Sequence, residues 1–541
     1  MSIKRHDGRL RPRRVPVTQS TGQNSIAWLV VTRELTLVLA TLFASNTLFA
    51  AGGILVVTTE DETRAQPIVS RMELYRGNGT AQIVRTAAGA GRGVVIAESV
   101  ELSLPDGAYQ FRLQRGPEYR IVSGNFTLER TSKDDRTVKL PRMVEMKNEG
   151  WLSCDMAVPT KTNDLRLRMF AEDLHLAAIV GEEAAPSMPQ AIPENLEPYQ
   201  PTWVAAGLKP TNDDDLVFYP PADSDVEWPV IQGETSSQMI ERLAAGDAVR
   251  VAVLNPFAWE LPVWLASEQI DGVFVLGDWL REDKRVEKIV AGRPPRRIGF
   301  EGPQGPGRYA EFIYWQILEA GLRPVPLAGT GTKIGQSATT PIGYNRVYVT
   351  GKQTEEDESS RQELSSTADF LAAAWAGQSV VTNGPMLRPT LGGFPPGHSF
   401  QASAGETLDL SMELKLAVRD EVEYMEIVHN GRVFHSARLD EFAAAGGRLP
   451  VLHVEESGWV VVRVVTQHED HFRMATSAPW YIDFNSQSRI SRKAVDFFST
   501  WLVDCEARLK QLPAETIAKH VPSVSAARTF WRERLANATV D

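Results

Sequence analysis

Residues Gly150–Val180 read GWLSCDMAVPTKTNDLRLRMFAEDLHLAAIV. An apolar run ends at Cys154-Asp155-Met156-Ala157-Val158-Pro159, a helical segment follows, and a second apolar run covers Leu174–Val180. The same alternation continues downstream. Arg250–Leu254, Gly272–Leu276 and Arg297–Phe300 read as buried strands, and Ser236–Ala245, Arg308–Ala320 and Ser359–Ala376 as helices. In the second of these helices Ala310, Ile313, Tyr314, Ile317 and Leu318 share one face, and Gly321 is placed to cap it; Gly377 does the same for the third. Strands alternating with helices predict an α/β barrel or a mostly parallel sheet over 149–385. The Pro- and Asp-rich stretch 182–227 reads as a surface loop.

On either side the pattern changes to period two. Residues 52–148 carry alternating runs such as Ile54–Thr58, Gly93–Ala97 and Tyr109–Leu113, with the turn Leu104-Pro105-Asp106-Gly107 before a strand. Residues 386–485 repeat this character, and Asn430-Gly431 between His429 and His435 is a hairpin signal. Two β-sandwiches are expected, followed by a helical segment over 486–541 whose apolar side is Phe497, Trp501, Val503 and Leu509. The fold class is therefore multidomain α/β plus β, which suits 541 residues. A single continuous sheet across the boundaries at 149 and 386 would contradict this division.

The first 50 residues hold seven Lys/Arg against Asp7 and Glu34, which leaves 50 basic against 66 acidic residues for the rest. An acidic body argues against nucleic acid, whose phosphates need a basic surface. The basic start leads into the apolar Leu35–Ala44 and the small residues Ala50-Ala51-Gly52. That is the order of a secretory signal peptide over 1–51, with a new N-terminus expected near Ala50–Gly53. An uncleaved anchor and a buried helix are the alternatives; Ser45-Asn46-Thr47 interrupt what would otherwise lengthen the span. Only Cys154 and Cys505 are present, so this is no disulfide scaffold; two separate thiols are expected, with a single bridge between them the alternative in an exported chain.

Four further stretches bear on function: LPDGAYQFRLQRGPEYR (104–120), AEFIYWQILEAGLRP (310–324), TPIGYNRVYV (Thr340–Val349) and SVVTNGPMLRP (Ser379–Pro389). With the opening stretch, and in this order, they resemble the CehA/McbA family of metallohydrolases, whose central domain belongs to the polymerase-and-histidinol-phosphatase (PHP) group. The resemblance implies a PHP-like distorted βα barrel flanked by two β-sandwich domains. It also implies divalent metal ions (Zn, Mn or Fe) at the strand ends and hydrolysis of phosphate esters, carbamates or related bonds. The family's Gly-Asp-Leu-His-Val-His motif places two imidazoles on one face of a strand. Here Asp155 survives, but Ala157 and Pro159 stand where the histidines belong. Between His175 and His398 there is no histidine, Asn255 replaces a His-Pro element, and Gly329-Thr330-Gly331-Thr332 replaces Gly-Ser-Asp-x-His. One imidazole cannot hold a cluster that needs three or four ligands per ion.

The candidate site residues that remain are Asp155, His175, Glu182, Glu183, Asp278 and Glu301. Convergent carboxylates would bind a hard cation; the alternative is solvated loop charge. His468-Glu469-Asp470-His471 fits no zincin spacing and reads as a surface loop. Cys154 lacks the signature of a nucleophile and reads as a buried thiol. Gly302–Gly307 lacks the Lys-Ser/Thr of a phosphate loop, although a helix N-terminus there could meet an anion. The expectation is an exported homologue of PHP hydrolases, without a cofactor, that binds a small molecule or protein and is a pseudoenzyme. An active hydrolase with a rebuilt site and a cell-surface interaction protein are the alternatives.

Overall fold

The computed structural model describes residues 52–84, 88–90, 92–97, 99–158, 164–181, 203–209, 215–221, 233–243, 249–282, 284–289, 291–331, 340–353 and 361–541. The expected signal segment, Pro159, Glu182, Glu183 and Thr332 lie outside them. Among the described residues no helix is long and apolar enough to cross a membrane.

The leading region is a β-sandwich. One sheet has five strands in the order Gly89–Ala90, Gly93–Ile96, Ser70–Arg76, Gly107–Gln114, Val122–Leu128; the other has Ser99–Leu104, Gly53–Asp61, Lys133–Leu140. Alternation dictates the packing. Along Gly53–Asp61 every second residue is buried, and Leu55 and Val57 meet Met72, Leu74, Leu102 and Leu113 in one core.

The central sheet begins at Val325–Ala328 and runs through Gly272–Leu276, Arg250–Val253, Leu216–Tyr219, Trp203–Leu208, Leu176–Gly181, Trp151–Val158, Arg346–Thr350 and Ser379–Thr382. Its neighbours are mixed. Trp151–Val158, Leu176–Gly181 and Trp203–Leu208 are parallel, whereas Arg346–Thr350 is antiparallel to Trp151–Val158. All eight residues of Trp151–Val158 are buried, as expected for a strand covered on both faces. The sheet curls: Gly331, just past its first strand, donates its N–H to the Ala157 carbonyl at 2.9 Å.

The boundary expected at 386 is crossed by this sheet. Ser379–Thr382 pairs with Arg473–Ser477, and the sheet continues through Gly458–Thr466, Val422–His429 and Arg432–Ala437. Pairing satisfies an edge that would otherwise expose a row of free N–H and C=O groups. At 149 the sheets are separate. The trailing sandwich therefore shares its main sheet with the α/β region. Its opposing layer, Met386–Leu391 with Met412–Ala417 and Leu408–Leu410 with Leu452–Val454, closes over Val460, Val462, Trp480 and Ile482. Asn430 (φ 51°) and Gly431 (φ 69°) form the expected hairpin turn.

The tail forms helices Arg492–Leu509 and Ala514–Ala536, which share the α/β core through Phe498, Trp501 and Trp531; Trp531 Nε1 donates to the Pro262 carbonyl at 2.9 Å. Four expectations fail locally. The stretch 182–227, expected as a surface loop, supplies the strands Trp203–Leu208 and Leu216–Tyr219 of the central sheet, the latter wholly buried. Arg297–Phe300 is not a strand: it follows Pro294-Pro295, Gly299 has φ 104°, and Ile298 is exposed. The third helix covers only Thr367–Trp375, begun by Ser366, whose Oγ accepts the Asp369 N–H at 3.1 Å. Val503 is exposed; the buried side of its helix runs through Val495, Phe498, Trp501, Leu502 and Cys505.

Candidate functional site

Asp155 is fully buried near the end of the strand Trp151–Val158. Its Oδ1 accepts the N–H groups of Ala157 and Thr330, both at 3.0 Å, and its Oδ2 that of Gly343 at 2.8 Å. Burial raises its carboxyl pKa above the ordinary value, against the pull of these donors from Thr330, Gly343 and Ala157. The carboxylate thus ties its own strand to two loops that cross the strand end. Ala157 is closed in by the first of them. A Cβ added at Gly329 would stand 2.6 Å from the Ala157 Cβ and 2.7 Å from its backbone nitrogen. Asn345 seals the same end: its Nδ2 donates to the carbonyls of Gly277 at 2.9 Å and Leu280 at 3.0 Å.

The other described candidates form no metal-binding group with Asp155. Asp278 is exposed on the turn after Gly272–Leu276. Glu301 is exposed and accepts the N–H of Gly299 at 2.8 Å, a local turn contact. Asn255 builds a turn, receiving the Phe257 N–H at 3.0 Å and donating to Asp215 at 2.8 Å. His175 is buried, with Nδ1 3.0 Å from Ser153 Oγ and 3.2 Å from the Ser153 N–H. Glu182 and Glu183 lie outside the described residues. Among the described residues no group of three His, Cys, Asp or Glu side chains is arranged to hold a metal ion. The ions that the family resemblance implies do not fit the donor set: Asp155 is committed to three N–H groups, and Ala157 has no lone pair to give.

Both cysteines are free and buried. Burial, reinforced by Asp155, holds the Cys154 thiol well above its ordinary pKa. That is the opposite of what a nucleophile needs.

A different concavity is built where the leading sandwich, the central sheet and the trailing sandwich meet. It is a cleft of about 250 Å³ whose lining includes Arg71, Glu172, Arg346, Arg419, Arg473 and His468. Arg71 is buried between Glu73 and Glu172, both at 2.7 Å, with Glu282 at 3.6 Å. Residues 468–471 form the expected loop, with Glu469 and Asp470 exposed, but the His471 side chain turns inward. It is 1% exposed, and its Nε2 lies 2.7 Å from Tyr344 Oη. Nearby, Arg142 pairs with Glu118 at 2.9 Å and Asp173 at 3.2 Å, while Arg115 pairs with Asp173 at 3.0 Å. The sequence gives no sign of this gathering, since its members come from strands and loops scattered from residue 71 to residue 473.

These buried groups set a pH response. Burial pushes His175 and His471 down to about 3 from 6.5. Their contribution to stability is present above about 6.5 and is lost as the pH falls, at up to about 1.4 kcal/mol per pH unit per histidine. Burial and then the Asp173 charge push Glu118 up to about 8 from 4.5. Its contribution has the opposite sign: it is present at low pH and is lost as the pH rises through 8. Burial also raises the carboxyls of Asp155, Glu172 and Glu311 and lowers His398, His429, His468 and His520; the lowered imidazoles outnumber the raised carboxyls, so stability should peak near pH 6.5 and fall on both sides. Urea midpoints at pH 8, 6.5 and 5 check this. A midpoint still rising at pH 5 would contradict it.

No protein-family model matches the chain, and no curated protein matches it. Among solved structures it is similar to the Bacillus anthracis TIE protein, at 17% identity over 21% of this chain and 20% of that one, TM-score 0.15. It is similar to BcpA, the major pilin subunit of Bacillus cereus, at 15% identity over 17% of this chain and 30% of that one, TM-score 0.14. It is also similar to the fibronectin(III)-like modules of Clostridium thermocellum CbhA, at 15% identity over 28% of this chain and 74% of that one, TM-score 0.13. The chain thus spans under a third of the first two proteins' lengths, and at these TM-scores the likenesses establish neither a family nor an activity.

Proposed function

We propose that the chain is an exported, CehA/McbA-like homologue of PHP-type hydrolases that has lost metal binding and acts as a non-catalytic ligand-binding protein. The observation that carries this reading is the commitment of Asp155. The one residue kept from the family's ligand motif spends both oxygens on backbone N–H groups. The loop at Gly329 fills the space over Ala157 where an imidazole would project. A strand end built in this way holds the fold together and offers no open coordination position. The mixed, curled central sheet is compatible with a distorted barrel of this kind, and the charged cleft beside it provides a place to bind.

The test restores what the motif lacks. Ala157→His with Pro159→His should give no turnover of generic phosphate or carbamate esters above a buffer blank, with zinc, manganese or iron(II) supplied. Ala157→His alone should destabilise the protein by about 1–3 kcal/mol, because the ring must displace the Gly329 loop. Metal-dependent turnover by the unmodified chain would favour the rebuilt-hydrolase reading instead.

A further inference from the structure

Besides the exposed Arg92, two guanidinium groups in the cleft, both at least half-buried, have no anionic partner among the described residues. Arg346 is 2% exposed. Its Nε donates to the Gly343 carbonyl at 2.5 Å and its Nη2 to the Glu172 carbonyl at 3.0 Å, but its buried Nη1 has no hydrogen-bond partner. Arg419, half-buried, donates to the carbonyls of Gly116 and Pro117, the latter at 3.2 Å. Among the described residues neither guanidinium has a carboxylate within 4.0 Å in an ion pair, whereas Arg71 and Arg473 do.

The two groups are held in one frame. A Cβ at Gly116 would lie 2.2 Å from the Glu172 carbonyl oxygen, so the backbone of Gly116, whose carbonyl receives Arg419, lies close against the carbonyl that receives Arg346, an approach only glycine permits. Carbonyls orient a guanidinium without neutralising it. A desolvated, uncompensated charge is expensive, and burial, with Arg473 nearby, lowers the Arg419 pKa to about 10. The carboxylates that share the cleft do not supply the missing charge. Glu73 and Glu172 are bound to Arg71, Asp420 is bound to Arg473, Glu282 faces Arg71 at 3.6 Å, and Asp470 is exposed.

We propose that this cleft is a binding site for a small molecule carrying an oxyanion, a carboxylate or a phosphate, which is clamped by Arg419 and offsets the uncompensated charge of the buried Arg346 behind it. Planar guanidinium forks match both groups, and about 250 Å³ suits a small ligand and no macromolecule. The inference deepens the binding role proposed above by naming its ligand class, and the two can fail separately.

The test uses the full chain with sodium phosphate or sodium succinate as probe, at ionic strength matched with sodium chloride. Calorimetric titration should show saturable binding of at least one probe, and melting temperature should rise with its concentration. Arg419→Gln should weaken binding about tenfold or more, while Arg296→Gln, an exposed arginine elsewhere, should leave it unchanged. Should Arg419→Gln fail to fold, phenylglyoxal labelling of the unmodified protein reads the same contact: the bound probe should protect Arg419. Phosphate binding alone identifies a phosphate-bearing ligand, and succinate binding alone a carboxylate. Neither probe binding beyond chloride, or binding untouched by Arg419→Gln with Arg419 unprotected, would overturn the proposal. Binding accompanied by metal-dependent turnover would overturn the non-catalytic reading and leave this one standing.

Discussion

Asp155→Ala should cost about 3–5 kcal/mol of folding stability. The substitution strands the N–H groups of Ala157, Thr330 and Gly343 in a fully buried place. Each buried donor left unsatisfied costs about 1–3 kcal/mol, offset in part by no longer burying a carboxylate. Asp155→Asn should fall between the two, because its amide can accept through one oxygen while its NH₂ meets a backbone donor. The sign of the effect is informative. A carboxylate kept as a metal ligand beside other acids is under repulsion in the metal-free protein, and its removal costs little or stabilises. Equilibrium urea denaturation of the purified variants measures this. A loss under about 1 kcal/mol for the alanine variant would be incompatible with a structural clamp.

The second large effect is expected at Arg71. Its guanidinium is buried between Glu73 and Glu172, which lie in the leading sandwich and beside the helix Leu165–Ala171 respectively. Breaking a buried pair by removing one partner leaves charge without compensation, at about 3–5 kcal/mol. Arg71→Met keeps the volume and removes the charge, so it isolates this term. An exposed pair provides the contrast: Arg250 sits 2.7 Å from Asp271 with a side chain 46% exposed, and Arg250→Met should cost under about 1 kcal/mol. Because Glu172 is anchored by Arg71, the first substitution should also disturb the docking of the leading sandwich, seen as earlier proteolysis near residue 148. Equal costs for the two variants would show that the buried network adds nothing.

Periodicity made much of the fold legible. Alternation along Gly53–Asp61 and the apolar face of Gly305–Glu319 each give one answer, because a strand or helix with one buried side must repeat every two or 3.6 residues. The turn at Asn430-Gly431 was legible because few residues accept its backbone. What periodicity does not carry is which strand lies beside which. Val422–His429 reads the same whether its sheet ends at Arg473–Ser477 or continues, as it does, into Ser379–Thr382. Similarly, Arg297–Phe300 has an apolar content that local rules accept, but Ile298 stands exposed.

The candidate site was legible in part. The replacement of two motif histidines by Ala157 and Pro159 is written in the sequence. The fate of Asp155 is not, since its donors Thr330 and Gly343 come from loops far along the chain. His471 illustrates the same limit: its loop looks solvated, yet the ring reaches inward to Tyr344. Arg346 lies within one of the stretches that carry the family resemblance, but its unpaired Nη1 is a property of three-dimensional surroundings alone.

Metal content tests the central claim most directly, that the strand end at Asp155 is a clamp and not a coordination site. The protein, incubated separately with zinc, manganese and iron(II) and then freed of loose ions, should hold no stoichiometric transition metal by elemental analysis, and its melting temperature should not move when a chelator is added. One tightly bound ion per chain, with a melting temperature or ester turnover that the chelator abolishes and the metal restores, would contradict the account.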